Sequence, residues 1–285
     1  MSRSALSAIC HGPVPPQSPV ILSVPHAGRD YPAALLAAIR VPVTALLALE
    51  DRHADLLALA ARGAETALIQ RPARAWIDLN RAEHERDPKL DDGADLARQP
   101  AMSAKLRSGL GLIPRRLANV GEIWGKRLSD ADVTARIVAD HRPYHGALAD
   151  LLAAAHARFG VAVLLDIHSM PTLGPPGEAA QIVFGDRFGK SARPRFVARL
   201  EAEAEAAGIA HALNSPYSGG HILDRHARPA GGIHAVQIEF DRSLYLDSAL
   251  ESPGPGFAAT AALLRQMIAA VTDEAIASTS ALAAE

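Results

Sequence analysis

A chain of 285 residues that is 49% apolar and 21% charged carries enough apolar surface to bury a large core, which excludes a disordered or fibrous protein. Its formal net charge of -2 is spread without long runs of one sign, so the clustered Lys and Arg of a nucleic-acid surface are absent and small polar or anionic ligands remain open. The single cysteine, Cys10, excludes an intrachain disulfide and a thiolate zinc site. No run approaches the roughly 18 apolar residues of a membrane span, and the first residues lack a basic region followed by an apolar core, so a cytoplasmic protein is expected.

Residues 20–24 form a short apolar, β-branched run that stops at Pro25-His26-Ala27-Gly28, a strand delivering a histidine. Over 43–62 the apolar positions recur at helical spacing, interrupted on one side by the polar stripe Glu50, Asp51, His53 and Asp55. Residues 67–69 and 76–79 read as two more strands, the second ending in Asn80-Arg81. The polar, irregular stretch 83–107 predicts a lid or surface excursion. A helix from about residue 130 runs toward His141-Arg142-Pro143-Tyr144-His145, and a second covers 144–159 with Pro143 suiting its first turn. Pro143 argues against a regular helical turn joining the two histidines, which are read as local hydrogen-bonding residues that shape the site.

Residues 161–167 are almost wholly apolar, as in a strand covered on both faces, and end at His168-Ser169. A strand at 181–185, a helix over 193–208, an alternating strand at 234–240 carrying Glu239, and a last helix over 256–277 complete the chain. This alternation predicts an α/β fold, a single domain with a central mixed, mostly parallel sheet flanked by helices. Ligands of such sheets bind beyond the carboxyl ends of the strands.

Three of the expected strands end in His26, Asn80-Arg81 and His168, and a fourth carries Glu239. A hydrolytic zinc ion takes three N or O protein ligands and leaves a position for water. His26 and His168 supply two, and Glu50, Asp51 and His53 all offer a third. The ion would acidify water and polarise a carbonyl, while Glu239 would take the proton and pass it to a leaving nitrogen. Arg81 and Arg242 suit a substrate carboxylate, with Asn80 as a neutral donor. Singly, each has a blander role as a structural histidine, a solvated acid or a surface ion pair; it is their joint occurrence that points to a site. Ser169 lacks the Gly-x-Ser-x-Gly turn of a serine hydrolase.

At these positions the chain resembles the N-formylglutamate amidohydrolase family, through Ser23-Val24-Pro25-His26-Ala27-Gly28, Glu50-Asp51-Arg52-His53-Ala54-Asp55, Asp78-Leu79-Asn80-Arg81 and His141-Arg142-Pro143-Tyr144-His145. Asp166-Ile167-His168-Ser169, Asn214-Ser215-Pro216-Tyr217-Ser218-Gly219-Gly220 and Gln237-Ile238-Glu239-Phe240-Asp241-Arg242 continue the likeness in the same order. The resemblance implies a zinc-carboxypeptidase and aspartoacylase-like fold of the phosphorylase/hydrolase type. It also implies one zinc on His26, Asp51 and His168, Glu239 as base, and Asn80, Arg81, Arg242 and Tyr217 on the substrate. Zinc carboxypeptidases place a Glu three residues after the first His, whereas Arg29 stands there in this chain, so Asp51 would come from the following helix. The implied reaction is hydrolysis of N-formyl-L-glutamate to formate and L-glutamate in histidine breakdown, with a small-molecule substrate and neither nucleic acid nor membrane as partner. The rivals are a deacylase of another N-acyl amino acid, a carboxypeptidase-like peptidase, and a non-catalytic binding protein for an acidic metabolite, in which Glu239 would be dispensable.

Overall fold

The apolar runs of the sequence become strands, and the computed structural model describes residues 7–95, 97, 103–175 and 178–282. In chain order the elements are β1 (Ala8–His11), β2 (Val20–Val24), α1 (Ala33–Ala38), α2 (Ala54–Ala61), β3 (Thr66–Gln70), α3 (Ala104–Arg107), β4 (Arg116–Leu117) and β5 (Gly121–Glu122). They continue with α4 (Asp130–Arg136), α5 (Arg142–Phe159), β6 (Ala162–Met170), β7 (Ile182–Gly185), α6 (Pro194–Ala206), β8 (His211–Leu213), α7 (His221–His226), β9 (Ile233–Asp241) and α8 (Phe257–Leu282). The described residues form two compact units built from interleaved stretches, one from 7–9, 25–50 and 70–146 and the other from 10–24, 51–69 and 147–282.

The sheet has seven strands in the order β1-β3-β2-β6-β9-β7-β8. β2 runs parallel to β3 and β6, β6 parallel to β9, and β7 parallel to β8; only the β7–β9 pair among these is antiparallel. The expected α/β class with a mixed, mostly parallel sheet is therefore present. Every residue of β2, β3, β6 and β7 is buried, which is why these segments read as apolar runs without alternation. α8 packs on α2 and α6 and reaches β2 and β6, while α7 packs on β9. No helix among the described residues is long and apolar enough to cross a membrane.

The helix expected over 43–62 is divided. A 3-10 segment, Val43–Leu49, stops at Glu50, and α2 begins only at Ala54. Between them His53 is left-handed, with φ 58°, a conformation that interrupts any right-handed helix. Asp51 thus stands in the turn ahead of α2 rather than on a helix face.

In the first unit the segment expected as a strand at 76–79 is a turn. Trp76 N donates to Ala73 O at 2.8 Å and Arg81 N to Asp78 O at 3.3 Å, and Asn80-Arg81 therefore does not end a strand. Ile77 and Leu79 are buried, so the apolar run reflects burial without a strand partner. α4 starts at Ser129, whose hydroxyl accepts from Asp132 N, with Asp130 and Asp132 in the first turn complementing the helix dipole. It passes through a π-helical segment, Ile137–His141, directly into α5, so the two expected helices are continuous. Widening to the π spacing accommodates Pro143, which has no N–H for the regular ladder. The near part of the 83–107 stretch is irregular and anchored by ion pairs of Arg86 with Asp91 and Arg115 with Asp87, with Leu90 buried. Residues 96 and 98–102 of the expected lid lie outside the described residues.

Candidate active site

In the second unit the site starts from the register of two parallel strands. His168 on β6 stands opposite Glu239 on β9, and Asp166 opposite Gln237. Residues two apart on a strand face the same side, so Asp166 joins His168 and Gln237 joins Glu239. His168 Nε2 meets Asp166 Oδ2 at 2.8 Å, and its Nδ1 meets Asp51 Oδ2 at 2.9 Å. The Ser23 hydroxyl donates to the other Asp166 oxygen at 2.6 Å, and Gln237 Nε2 donates to Glu239 Oε1 at 2.8 Å. All of these side chains are buried. Burial alone would lower the His168 pKa, but Asp166, Asp51 and Glu239 together raise it well above the ordinary imidazole value.

Arg242 follows β9. Its Nε donates to Ser169 Oγ at 3.2 Å, and its Nη2 lies 3.8 Å from Asp51 Oδ1, so the guanidinium offsets part of the carboxylate charge. Tyr245 donates to Arg52 O at 2.7 Å, which fixes the turn that presents Asp51. Of the three candidates for a third ligand, Asp51 is the one hydrogen-bonded to His168. His53 reaches Glu251 O instead, and Glu50 belongs to the first unit, where Tyr31 donates to it. Tyr217 is half-buried in the loop between β8 and α7.

In the first unit Asp78 organises a turn. It accepts from His26 Nε2 at 2.7 Å, from Arg74 at 2.9 Å and from Asn80 N at 2.9 Å. Burial would raise the Asp78 carboxyl, but Arg74, His26 and Arg81 hold it well below the usual carboxylate range. Arg81 donates Nε to Leu110 O at 2.9 Å and Nη1 to Asn80 O at 2.6 Å, while Nη2 has no hydrogen bond among the described residues. His145 and His141 bond the carbonyls of Leu79 and Arg81 through Nε2, at 3.0 and 2.8 Å, and so hold the same turn. Only glycine fits two residues after His26, since a Cβ at Gly28 would lie 2.3 Å from Pro72 O.

His26, Asp51 and His168 are buried residues of metal-ligating type, and His26 and His168 each have one ring nitrogen held by a buried carboxylate. A family model described as N-formylglutamate amidohydrolase matches residues 18–246, a span that includes every expected site residue from His26 to Arg242. The chain belongs to that family. N-formylglutamate deformylases of Pseudomonas putida and Pseudomonas aeruginosa are 33% and 30% identical to it, over 80% of this chain and 82% of each relative. A crystal structure of N-formylglutamate amidohydrolase from Ralstonia eutropha JMP134 is similar at a TM-score of 0.84 and 31% identity, covering 95% of this chain and 98% of that one.

As a member of the N-formylglutamate amidohydrolase family, the chain is an amidohydrolase with a buried polar cluster at the carboxyl ends of its parallel strands. Sequence reasoning gave no role to Asp78, Asp166 and Gln237, the side chains that hold His26, His168 and Glu239. For two of them a signal existed. Asp166 precedes His168, and Gln237 precedes Glu239, by the two-residue strand period that sets neighbours on one face.

Proposed function

We propose that the chain hydrolyses N-formyl-L-glutamate to formate and L-glutamate, as a step of histidine breakdown, with one zinc ion held by His26, Asp51 and His168. The observation that supports this most directly is His168, whose ring is oriented by Asp166 on one nitrogen and met by Asp51 at the other. A carboxylate behind a histidine fixes its tautomer and raises its basicity toward a metal. His26 has the same backing from Asp78 on Nε2, which makes Nδ1 its ligand atom. His26 also follows β2 by two residues, and β2 is the neighbour of β6 in the sheet, Ser23 standing opposite Asp166.

When bound, the ion supplies Lewis acidity, lowering the pKa of water and polarising an amide carbonyl. Glu239 takes a proton from water as the oxygen attacks the formyl carbon, and returns it to the glutamate nitrogen as the C–N bond breaks. Gln237 donates to Oε1 of Glu239 and so orients its carboxylate. The substrate has two carboxylates, and two arginines suit them: Arg242, and Arg81 through its Nη2. Asn80 and Tyr217 add neutral contacts, and His141 and His145 keep the Asp78–Arg81 turn in shape. The test is metal analysis and a screen of N-acyl amino acids on one sample. Purified protein is expected to hold about one zinc per chain, in keeping with a three-ligand hydrolytic site, and to release formate from N-formylglutamate. His168→Ala is expected to lose both metal and activity, and a metal-free, fully active preparation would end the proposal.

A further inference from the structure

Within the first unit a cavity of about 390 Å³ lies between α1 and the helix formed by α4 and its π-helical continuation. Ala34, Ala37 and Ala38 line one side and Ala135 and Ala139 the other, with Trp76 and Arg136 between them. None of these residues has a role in the proposed reaction. Small-molecule sites start near this volume, at about 300 Å³.

Arg136 is the unusual member. It is 4% exposed, and its guanidinium carbon lies 3.7 Å from the Trp76 ring centre and 5.2 Å from that of Trp124. Among the described residues its one side-chain hydrogen bond runs from Nη1 to Trp76 O at 3.1 Å, Nε has no partner, and no carboxylate forms an ion pair with it. The nearby acids are engaged elsewhere. Asp140 accepts from Trp76 Nε1 at 2.7 Å, Asp132 is exposed and accepts from Ser129 Oγ at 2.7 Å, and Asp91 is paired with Arg86. Lys126, at the rim, is exposed to solvent. Burial lowers the Arg136 pKa to about 10, which leaves it charged at neutral pH. A buried charge without a counter-ion is costly, and arginine is almost never fully buried unless paired.

The Trp76 ring lies against the guanidinium and Nη1 is spent on a carbonyl, while Nη2 makes no hydrogen bond among the described residues, so an anion has Nη2 to use. A charge-assisted hydrogen bond from a guanidinium suits a carboxylate oxygen. We propose that this cavity is a second ligand site, which takes a small aliphatic carboxylate on Nη2 of Arg136 with its carbon chain against the alanines. A small-residue wall and a volume for a few carbon atoms select that class over phosphates, which are bulkier and more highly charged.

Trp76 and Trp124 are the only tryptophans of the chain and both stack near Arg136, so intrinsic fluorescence reports on the cavity. Full-length protein is titrated with sodium butyrate at constant ionic strength, with butyramide as the uncharged control. A saturable change in emission is expected with butyrate and none with butyramide. Arg136→Gln is expected to weaken the midpoint about tenfold or more, equivalent to about 1.4 kcal/mol. Ala135→Leu fills the cavity from an exposed helix position without touching the guanidinium, and is expected to do the same. Arg242→Ala, which alters the carboxylate clamp of the proposed active site and lies outside the cavity lining, is expected to leave the titration unchanged. An absent or non-saturable response, an equal response to butyramide, a midpoint unmoved by Ala135→Leu, or its loss in Arg242→Ala would overturn the proposal.

Discussion

In the second unit the proposed site is built mainly on strands, whereas in the first it is built on a turn. On β6 and β9 the backbone ladder alone puts His168 opposite Glu239, and the two-residue period adds Asp166 and Gln237. In the first unit the turn around Trp76–Arg81 is held from outside, by Asp140 on Trp76, by His145 on Leu79 O and by Leu110 O on Arg81. A polar substitution on the strands should therefore change chemistry and leave the scaffold alone. The same kind of substitution in the turn should disturb the scaffold as well.

The sharpest test of the strand side is Glu239→Gln, which removes the proposed base and keeps the acceptor for Gln237. The turnover number is expected to fall by about 10²–10⁴, or about 3–5 kcal/mol, with zinc content and thermal midpoint unchanged. Loss of zinc from this variant would make Glu239 a ligand and weaken the contrast. Asp78→Asn is the counterpart in the turn, and it leaves His26 and Arg74 without their shared carboxylate. About 3 kcal/mol of stability is expected to go, because buried charges lose their partner. Denaturant unfolding checks it, and a variant as stable as the parent would show that the turn holds without Asp78.

The far end of β9 supplies a contrast within the strand unit. His234 is buried there opposite Val163, with the Phe196 ring 4.6 Å away, and its Nδ1 has no hydrogen-bond partner among the described residues. Burial, with Arg193 and Arg195 nearby, lowers its pKa to about 4. Between pH 6.5 and 4 the unfolded chain binds the proton that the folded one refuses, so stability is full above 6.5 and falls as the pH drops. The expected loss is on the order of 3 kcal/mol. Urea unfolding across that window should show it, and His234→Gln should remove this share of the slope; a slope unaltered by the substitution would remove His234 as the cause. The smallest effect is expected from Asp166→Asn, which keeps the ring contact and loses the charge behind His168. Zinc affinity should weaken about 10–100-fold, with less loss of stability than Asp78→Asn. Equal destabilisation by the two variants would erase the distinction between strand and turn.

Much of the sheet was legible in the sequence. β2, β3, β6 and β7 are runs that burial makes apolar, β9 showed in its alternation, and β6 carries His168 near its end. The misread elements have separate causes. Residues 76–79 carry the apolar signal of a strand because Ile77 and Leu79 are buried, yet no neighbouring strand bonds them, and burial without a ladder looks the same in one dimension. The break at His53 and the π-helical passage before Pro143 are single-residue accommodations that no periodicity encodes. β1 and β8 are short strands with few buried side chains, too faint to separate from loop.

By itself the sequence determined the α/β class, the strand ends that carry His26, His168 and Glu239, and the motifs that place the chain in its family. These are local properties, set by runs of apolar residues and by the alternation of a strand. Only the tertiary structure decided which carboxylate serves which histidine. Asp78 meets His26 across 52 positions, and Asp51 meets His168 across 117. Hydrogen bonds between such distant residues depend on how the elements pack, and no spacing along the chain encodes that.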